Sequence, residues 1–97
     1  MRTMMKIKLD TEAASRALAD GSLPQLMQDT MARLQPEAAY FGPEHGVRTA
    51  FVVFDLKDPA DLPSISEPLV SKLKATIEIF PVVEREDLQK GLQQLGQ

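Results

Sequence analysis

Arg48-Thr49-Ala50-Phe51-Val52-Val53-Phe54-Asp55-Leu56 reads as a strand with two apolar faces. Between Thr49 and Leu56 only Thr49 and Asp55 are polar, and Phe51 to Phe54 are all aromatic or β-branched, the residue types that suit a pleated chain. Side chains of a strand alternate between faces, so Thr49, Phe51, Val53 and Asp55 share one face while Ala50, Val52, Phe54 and Leu56 share the other. A layer of helices covers one face. The other needs cover of a different kind.

Upstream, Met4 to Leu9 alternates Met5, Ile7 and Leu9 with Lys6 and Lys8, the pattern of a half-buried strand. Asp10 caps a helix that Gly21 stops, with Ala13, Ala14, Ala17 and Leu18 as its apolar stripe. Ser22 opens a second helix with a capping box to Gln25. Leu23, Leu26, Met27, Met31 and Leu34 recur through it at helical spacing, and Pro36 marks its exit. Glu37 to Phe41 reads as a short strand, and Gly42-Pro43-Glu44-His45-Gly46 as the turn joining it to the central strand. Downstream, Asp61 caps a helix from Leu62 to Leu73, which Pro68 is expected to kink or shorten. Ala75 to Phe80 is a last strand, and a final helix opens at Glu84 or Arg85. Leu88, Leu92 and Leu95 form its narrow apolar edge, suited to docking on a partner subunit or on the chain's own sheet edge.

With 97 residues the chain has room for one core, so residues 1–97 form a single domain. Eleven basic and 14 acidic residues leave a formal charge of -3, without the concentrated Lys and Arg that phosphate backbones require, which argues against nucleic acid as a partner. The absence of cysteine excludes disulfides, thiol nucleophiles and Cys-based metal or iron–sulfur sites. The longest apolar run, Ala50 to Phe54, is too short to span a bilayer, and Lys6, Lys8 and Asp10 interrupt any signal-like stretch. A cytoplasmic protein without membrane contact is expected.

The order strand, helix, strand, strand, helix, strand is that of a ferredoxin-like α+β fold, with the helices on one face of a four-stranded antiparallel-type sheet and a further helix at the C-terminus. Right-handed crossovers are expected to put the first and third strands side by side and parallel in the middle. The fourth strand then lies beside the first, and the second beside the third. On that arrangement Lys6, Lys8 and Glu78 become cross-strand neighbours on the open face, next to Thr76, Phe80 and one apolar pair of the central strand. Leaving a Phe and a Val in water forfeits roughly 1.5–3 kcal/mol for each side chain. Such a face lines a chamber between two sheets better than it meets solvent.

That order, the hairpin Ala39-Tyr40-Phe41-Gly42-Pro43-Glu44-His45-Gly46-Val47-Arg48 and the ending Thr76-Ile77-Glu78-Ile79-Phe80-Pro81-Val82-Val83 resemble the dimeric α/β-barrel superfamily, closest to its small bacterial members of about this length. The resemblance runs from Met4 to about Leu92. It implies a homodimer of ferredoxin-like subunits packed sheet against sheet, each open face lining a pocket. Members of that superfamily include cofactor-free monooxygenases, muconolactone isomerase-like enzymes, haem-binding and chlorite-degrading proteins, and stress-response proteins. No motif in this chain selects among these activities. The paired segments Asp10–Asp20 and Ser22–Leu34 make a longer first crossover than is usual there.

Candidate site residues follow from this layout. His45 is the sole histidine, with an ordinary pKa near ~6.5 that suits proton transfer; over a partner's sheet it becomes a catalytic or haem-ligating candidate, and otherwise it is a solvated turn residue. Tyr40 is the second catalytic candidate, a hydroxyl on a strand, or else an aromatic at an interface. Lys6, Lys8, Phe51, Val53, Glu78 and Phe80 are the ligand-binding candidates, against the plainer reading of Lys6, Lys8 and Glu78 as a wetted charge pair. No cofactor and no metal site is expected, since one histidine without a carboxylate cluster holds no zinc. Asp55 ends the central strand either as a base at a pocket mouth or as a simple strand exit. Two functions remain open. One is a homodimer that binds a small apolar or aromatic ligand between its sheets, with cofactor-independent monooxygenase- or isomerase-like chemistry within reach. The alternative is a non-catalytic structural homodimer whose faces seal each other.

Overall fold

Val52 and Phe51 point to opposite sides of the sheet, and their surroundings show which side the helices cover. Val52 and Phe54 are buried among Met5, Ile7, Leu26, Leu69 and Leu73, whereas Phe51 and Val53 lie on the side away from that core. The computed structural model describes residues 1–96. Along the chain these form β1 (Arg2–Lys8), α1 (Thr11–Asp20), α2 (Ser22–Leu34), β2 (Ala38–Glu44), β3 (Val47–Asp55), a single 3-10 turn (Pro59–Asp61), α3 (Leu62–Leu73), β4 (Thr76–Pro81) and α4 (Arg85–Leu95).

The four strands make one antiparallel sheet in the order β2-β3-β1-β4. The expected parallel pairing of the first and third strands is wrong, because β1 and β3 pair antiparallel with Lys6 opposite Phe51 and Met5 opposite Val52. The two-helix crossover returns the chain so that β2 runs with β1, and the hairpin then reverses it. β3 therefore arrives in the opposite sense beside β1. The alternation in β1 holds as read: Met5 and Ile7 are fully buried, and Lys6 and Lys8 lie on the other face.

Local signals explain the ends of the elements. The Asp10 carboxylate accepts from the Ala13 N–H at 3.0 Å and caps α1, and Gly21, at φ 82°, ends it in the left-handed region. The capping box expected at Ser22 is absent. Gly21 occupies the cap position, Ser22 N–H donates to Asp20 Oδ1 at 2.8 Å, and Gln25 instead donates to Asp29 one turn on. α3 continues to Leu73 through Pro68, so the proline does not shorten it. Pro68 leaves the Ser64 carbonyl without its helical donor, but Ser64 is exposed and water can take that place.

β2 is longer than its sequence suggests. Gly42, Pro43 and Glu44 stay in the ladder opposite Thr49, Arg48 and Val47, and only His45 and Gly46 turn. Both have positive φ, 53° and 77°, the arrangement of a tight two-residue hairpin whose twist matches that of the flanking strands. Pro43 is tolerated because β2 is an edge strand, where a missing N–H breaks no inner ladder.

α4 stands apart. None of its residues is buried, and it forms no substantial packing with any other element among the described residues. The radius of gyration is 15.6 Å and the longest dimension 56 Å, against about 12.5 Å for the gyration radius of a compact domain of this length.

Candidate functional site

The register places one row of side chains across the uncovered face: Tyr40 on β2, Phe51 on β3, Lys6 on β1 and Glu78 on β4. A second row beside it holds Ala38, Val53, Met4 and Phe80, and a third holds Gly42, Thr49, Lys8 and Thr76. Period-two alternation and antiparallel pairing thus bring Tyr40, Lys6, Lys8, Phe51, Val53, Glu78 and Phe80 together on one surface. Phe51 and Val53 are half-buried by their strand neighbours, while Tyr40 is 68% exposed. Met4 belongs to the same apolar patch and lay outside the sequence reading; its place in the Met4-Lys6-Lys8 alternation is the signal that marks it.

Charge on this face is organised by Glu44. Lys6 Nζ is ion-paired with Glu44 Oε1, and Lys8 Nζ lies 3.8 Å from the same oxygen. The expected partner, Glu78, stands opposite Lys6 in the register but forms no ion pair among the described residues. Glu44 wins because the extended β2 carries it to the same face, whereas a loop there would have left it in solvent. The hydrogen bond from Lys6 holds the Glu44 carboxyl below the usual carboxylate range, and the same bond raises the Lys6 ammonium above its ordinary value. The Lys6 ammonium also sits over the Phe51 ring, 5.9 Å from its centroid, within reach of the ring's negative face.

At the other end of the face Arg2 gathers three carboxylates. Its Nε donates to Glu37 Oε1 at 2.5 Å, its Nη2 lies 2.7 Å from Glu84 Oε1, and its Nη1 lies 3.7 Å from Asp87 Oδ2. The hydrogen bond to Glu37 is the main reason its pKa is raised. Glu84 and Asp87 flank the start of α4, so Arg2 ties the first turn of that helix to the sheet. Asp55 is engaged as a strand exit, 2.7 Å from the Met1 ammonium.

His45 is not on the face. It is exposed at the hairpin tip, next to Glu44 but turned out by the tight turn. Among the described residues no three of His, Asp and Glu cluster as metal ligands would. Among the described residues no helix is long and apolar enough to cross a membrane.

The larger hollows of the subunit lie elsewhere. The most apolar is a groove of about 400 Å3 on the helix side of the hairpin, walled by Ile7, Leu9, Leu23, Met27, Phe41 and Ala50, with Arg48 at its rim. The open face itself is bounded on one side only, and a chamber there needs a second wall. Comparison with family models, with characterised proteins and with solved structures gave no match.

Proposed function

We propose that this chain is a ferredoxin-like subunit of a dimeric α/β barrel, in which two open faces meet and enclose a small, mostly apolar or aromatic ligand. One observation carries the reading: the face of the sheet that α1, α2 and α3 leave open holds Met4, Phe51, Val53 and Phe80 beside a few polar groups. Pockets for small molecules have that mixture, apolar walls with a small number of placed polar atoms. A second copy supplies the missing wall, and the same patch on both copies suits a two-fold axis.

The polar groups limit the ligand. Lys6 and Lys8 share the single carboxylate of Glu44, and the one positive charge left over is offset by Glu78 opposite Lys6, so the face as a whole does not favour an anion. Glu78 and the Tyr40 hydroxyl are the groups left to orient a neutral or weakly polar ligand, Glu78 by accepting and Tyr40 by donating. Such a chamber supports proton transfer on a bound aromatic molecule, as in cofactor-independent oxygenation or isomerisation. His45 joins the site only where the hairpin tip of one copy reaches over the sheet of the other.

Sedimentation of the full chain at micromolar concentration tests the assembly, with a dimer expected and a monomer excluding the reading. Native mass spectrometry of the freshly purified protein tests the ligand, with an added mass of a small organic molecule expected on the dimer. The alternative is a structural homodimer with sealed faces, in which Phe51, Val53 and Phe80 fill the space between the sheets. A crystal structure separates the two. A space of several hundred cubic ångströms between the sheets supports ligand binding, and Phe51 and Phe80 in contact across the axis support the seal.

A further inference from the structure

On the helix side of the sheet, one cross-strand row runs from Phe41 on β2 through Ala50 on β3 to Ile7 on β1. Farther along β3 the same face carries Val52 and Phe54, whose bulk fills the space beneath the helices. Ala50 stops at its Cβ, and the room it leaves opens into the groove of about 400 Å3 at the hairpin. Leu23 and Met27 of α2 wall it on one side, and Phe41, 62% exposed, on another. The tight turn at His45 and Gly46 keeps Gly42 and Pro43 in the ladder, so this part of the wall is ordered sheet and not loop. Ligand sites run from about 300 to 1,000 Å3. The groove is at the small end of that range.

Charge says what chemistry fits it. Arg48 is the one charged side chain among those that line the groove. It stands opposite Pro43, whose side chain offers no acceptor. The acidic residues of the flanking segments are engaged elsewhere, Glu44 on the other face with Lys6 and Lys8, and Asp10 at the start of α1. Among the described residues Arg48 forms no ion pair. An exposed arginine by itself is ordinary. Here the guanidinium sits at the rim of an apolar hollow and lacks a carboxylate of its own. Its planar fork matches a carboxylate through two parallel N–H···O bonds. A single guanidinium balances a single negative charge, which suits a carboxylate better than a phosphate monoester carrying about -1.5 to -2.

We propose that the hairpin groove is a binding site for a small amphipathic acid, its apolar chain against Ile7, Leu23, Met27 and Ala50 and its carboxylate on Arg48. The chain removes apolar wall from water, and the carboxylate takes charge-assisted hydrogen bonds from the guanidinium. Every wall of the site comes from one subunit. It lies across the sheet from the face proposed to pair, so it stands whether or not two copies associate.

Three probes with one tail and different heads test this: octanoate, 1-octanol and octylammonium, titrated into the full-length chain and followed by amide chemical shifts. Octanoate is expected to bind with a Kd of about 1 mM or tighter, at least about tenfold tighter than octanol, with shifts centred on Phe41 and Ala50. The chain carries a formal charge of -3, so a general electrostatic bias favours octylammonium, and a preference for the anion reports on the groove. Arg48→Gln is expected to bring octanoate down to the affinity of octanol and to leave octanol unchanged, while Arg48→Lys restores part of the difference. Ala50→Leu, which fills the floor, is expected to weaken both ligands; the exposed Arg48 variants keep the test open where that chain fails to fold. Octanoate that binds no tighter than octanol or octylammonium, or that is indifferent to Arg48→Gln, overturns the site. Shifts centred on Phe51 and Val53 overturn it as well, and assign the ligand to the open face instead.

Discussion

Phe51 sits under the Lys6 ammonium and beside Tyr40 and Val53, on a face where its own chain supplies no covering layer. Replacing it therefore separates folding from assembly. Phe51→Lys is expected to cost the lone subunit about 1–2 kcal/mol, because the ring is only half-buried but the new ammonium stands opposite Lys6. In the proposed dimer it is expected to weaken association by about 100-fold or more, since a two-fold axis there would bring two such side chains into one interface. Sedimentation measures the second and denaturant unfolding of dilute protein the first; unchanged dimer affinity counts against assembly through this face. Glu44 makes a different prediction, in pH. Its carboxyl is lowered by the hydrogen bond from Lys6, so the stability it lends is complete above the ordinary value of ~4.3 and is lost as pH falls through the lowered folded value. Lys6 is raised by the same bond, so its share is complete below ~10.4 and is lost as pH rises through the raised folded value. The melting temperature of Glu44→Gln is expected to fall below that of the wild type between those limits and to converge with it toward about pH 2. A gap that persists unchanged in acid rules out an ionic origin.

At the scale of elements, the hairpin shows what composition hides. Gly42-Pro43-Glu44-His45-Gly46 has the residues of a loop, but a loop is defined by which residues leave the ladder, and only His45 and Gly46 do. The positive φ of Gly46, 77°, is what lets the turn be so short. Gly46→Ala forces an L-residue into the left-handed region at a cost of about 1–2 kcal/mol, and each kcal/mol is worth about 4–8 °C in a domain of this size. Thermal unfolding is expected to show that loss; a Tm within a degree of wild type means the turn has another conformation. The alternation Met5-Lys6-Ile7-Lys8 and the stripe of α2 were legible because one period decides them. The antiparallel partnership of β1 and β3 was equally determined by the hairpin, and the parallel expectation overlooked the reversal it imposes. Glu44 was not legible as the partner of Lys6, since that depends on three more residues of ladder. Nor was the isolation of α4. Leu88, Leu92 and Leu95 have the same spacing whether the helix is docked or bare, and only the fold shows that among the described residues none of α4 is buried.

On the scale of the whole molecule, a 97-residue chain that spans 56 Å and leaves a sheet face and a helix bare is poorly matched to life as a monomer. A monomer this small gains its stability as a slim difference between burial and chain entropy, and here part of the available apolar surface is withheld. If the second copy supplies that burial, folding and association are one equilibrium, and stability depends on how much protein is present. Raising the concentration a hundredfold, from about 1 to about 100 μM, adds about 2.7 kcal/mol per dimer. Spread over two chains of this length, that corresponds to a rise in Tm of about 5–10 °C. Calorimetry at the two concentrations is expected to show it for the wild type, and a Tm independent of concentration would mean that the bare surfaces contribute nothing to stability by association. The same scan on Phe51→Lys is expected to give a lower Tm with little concentration dependence, because that chain unfolds from a monomer. Together the two scans locate the coupling: a dependence that the wild type shows and the variant loses has passed through the open face of the sheet.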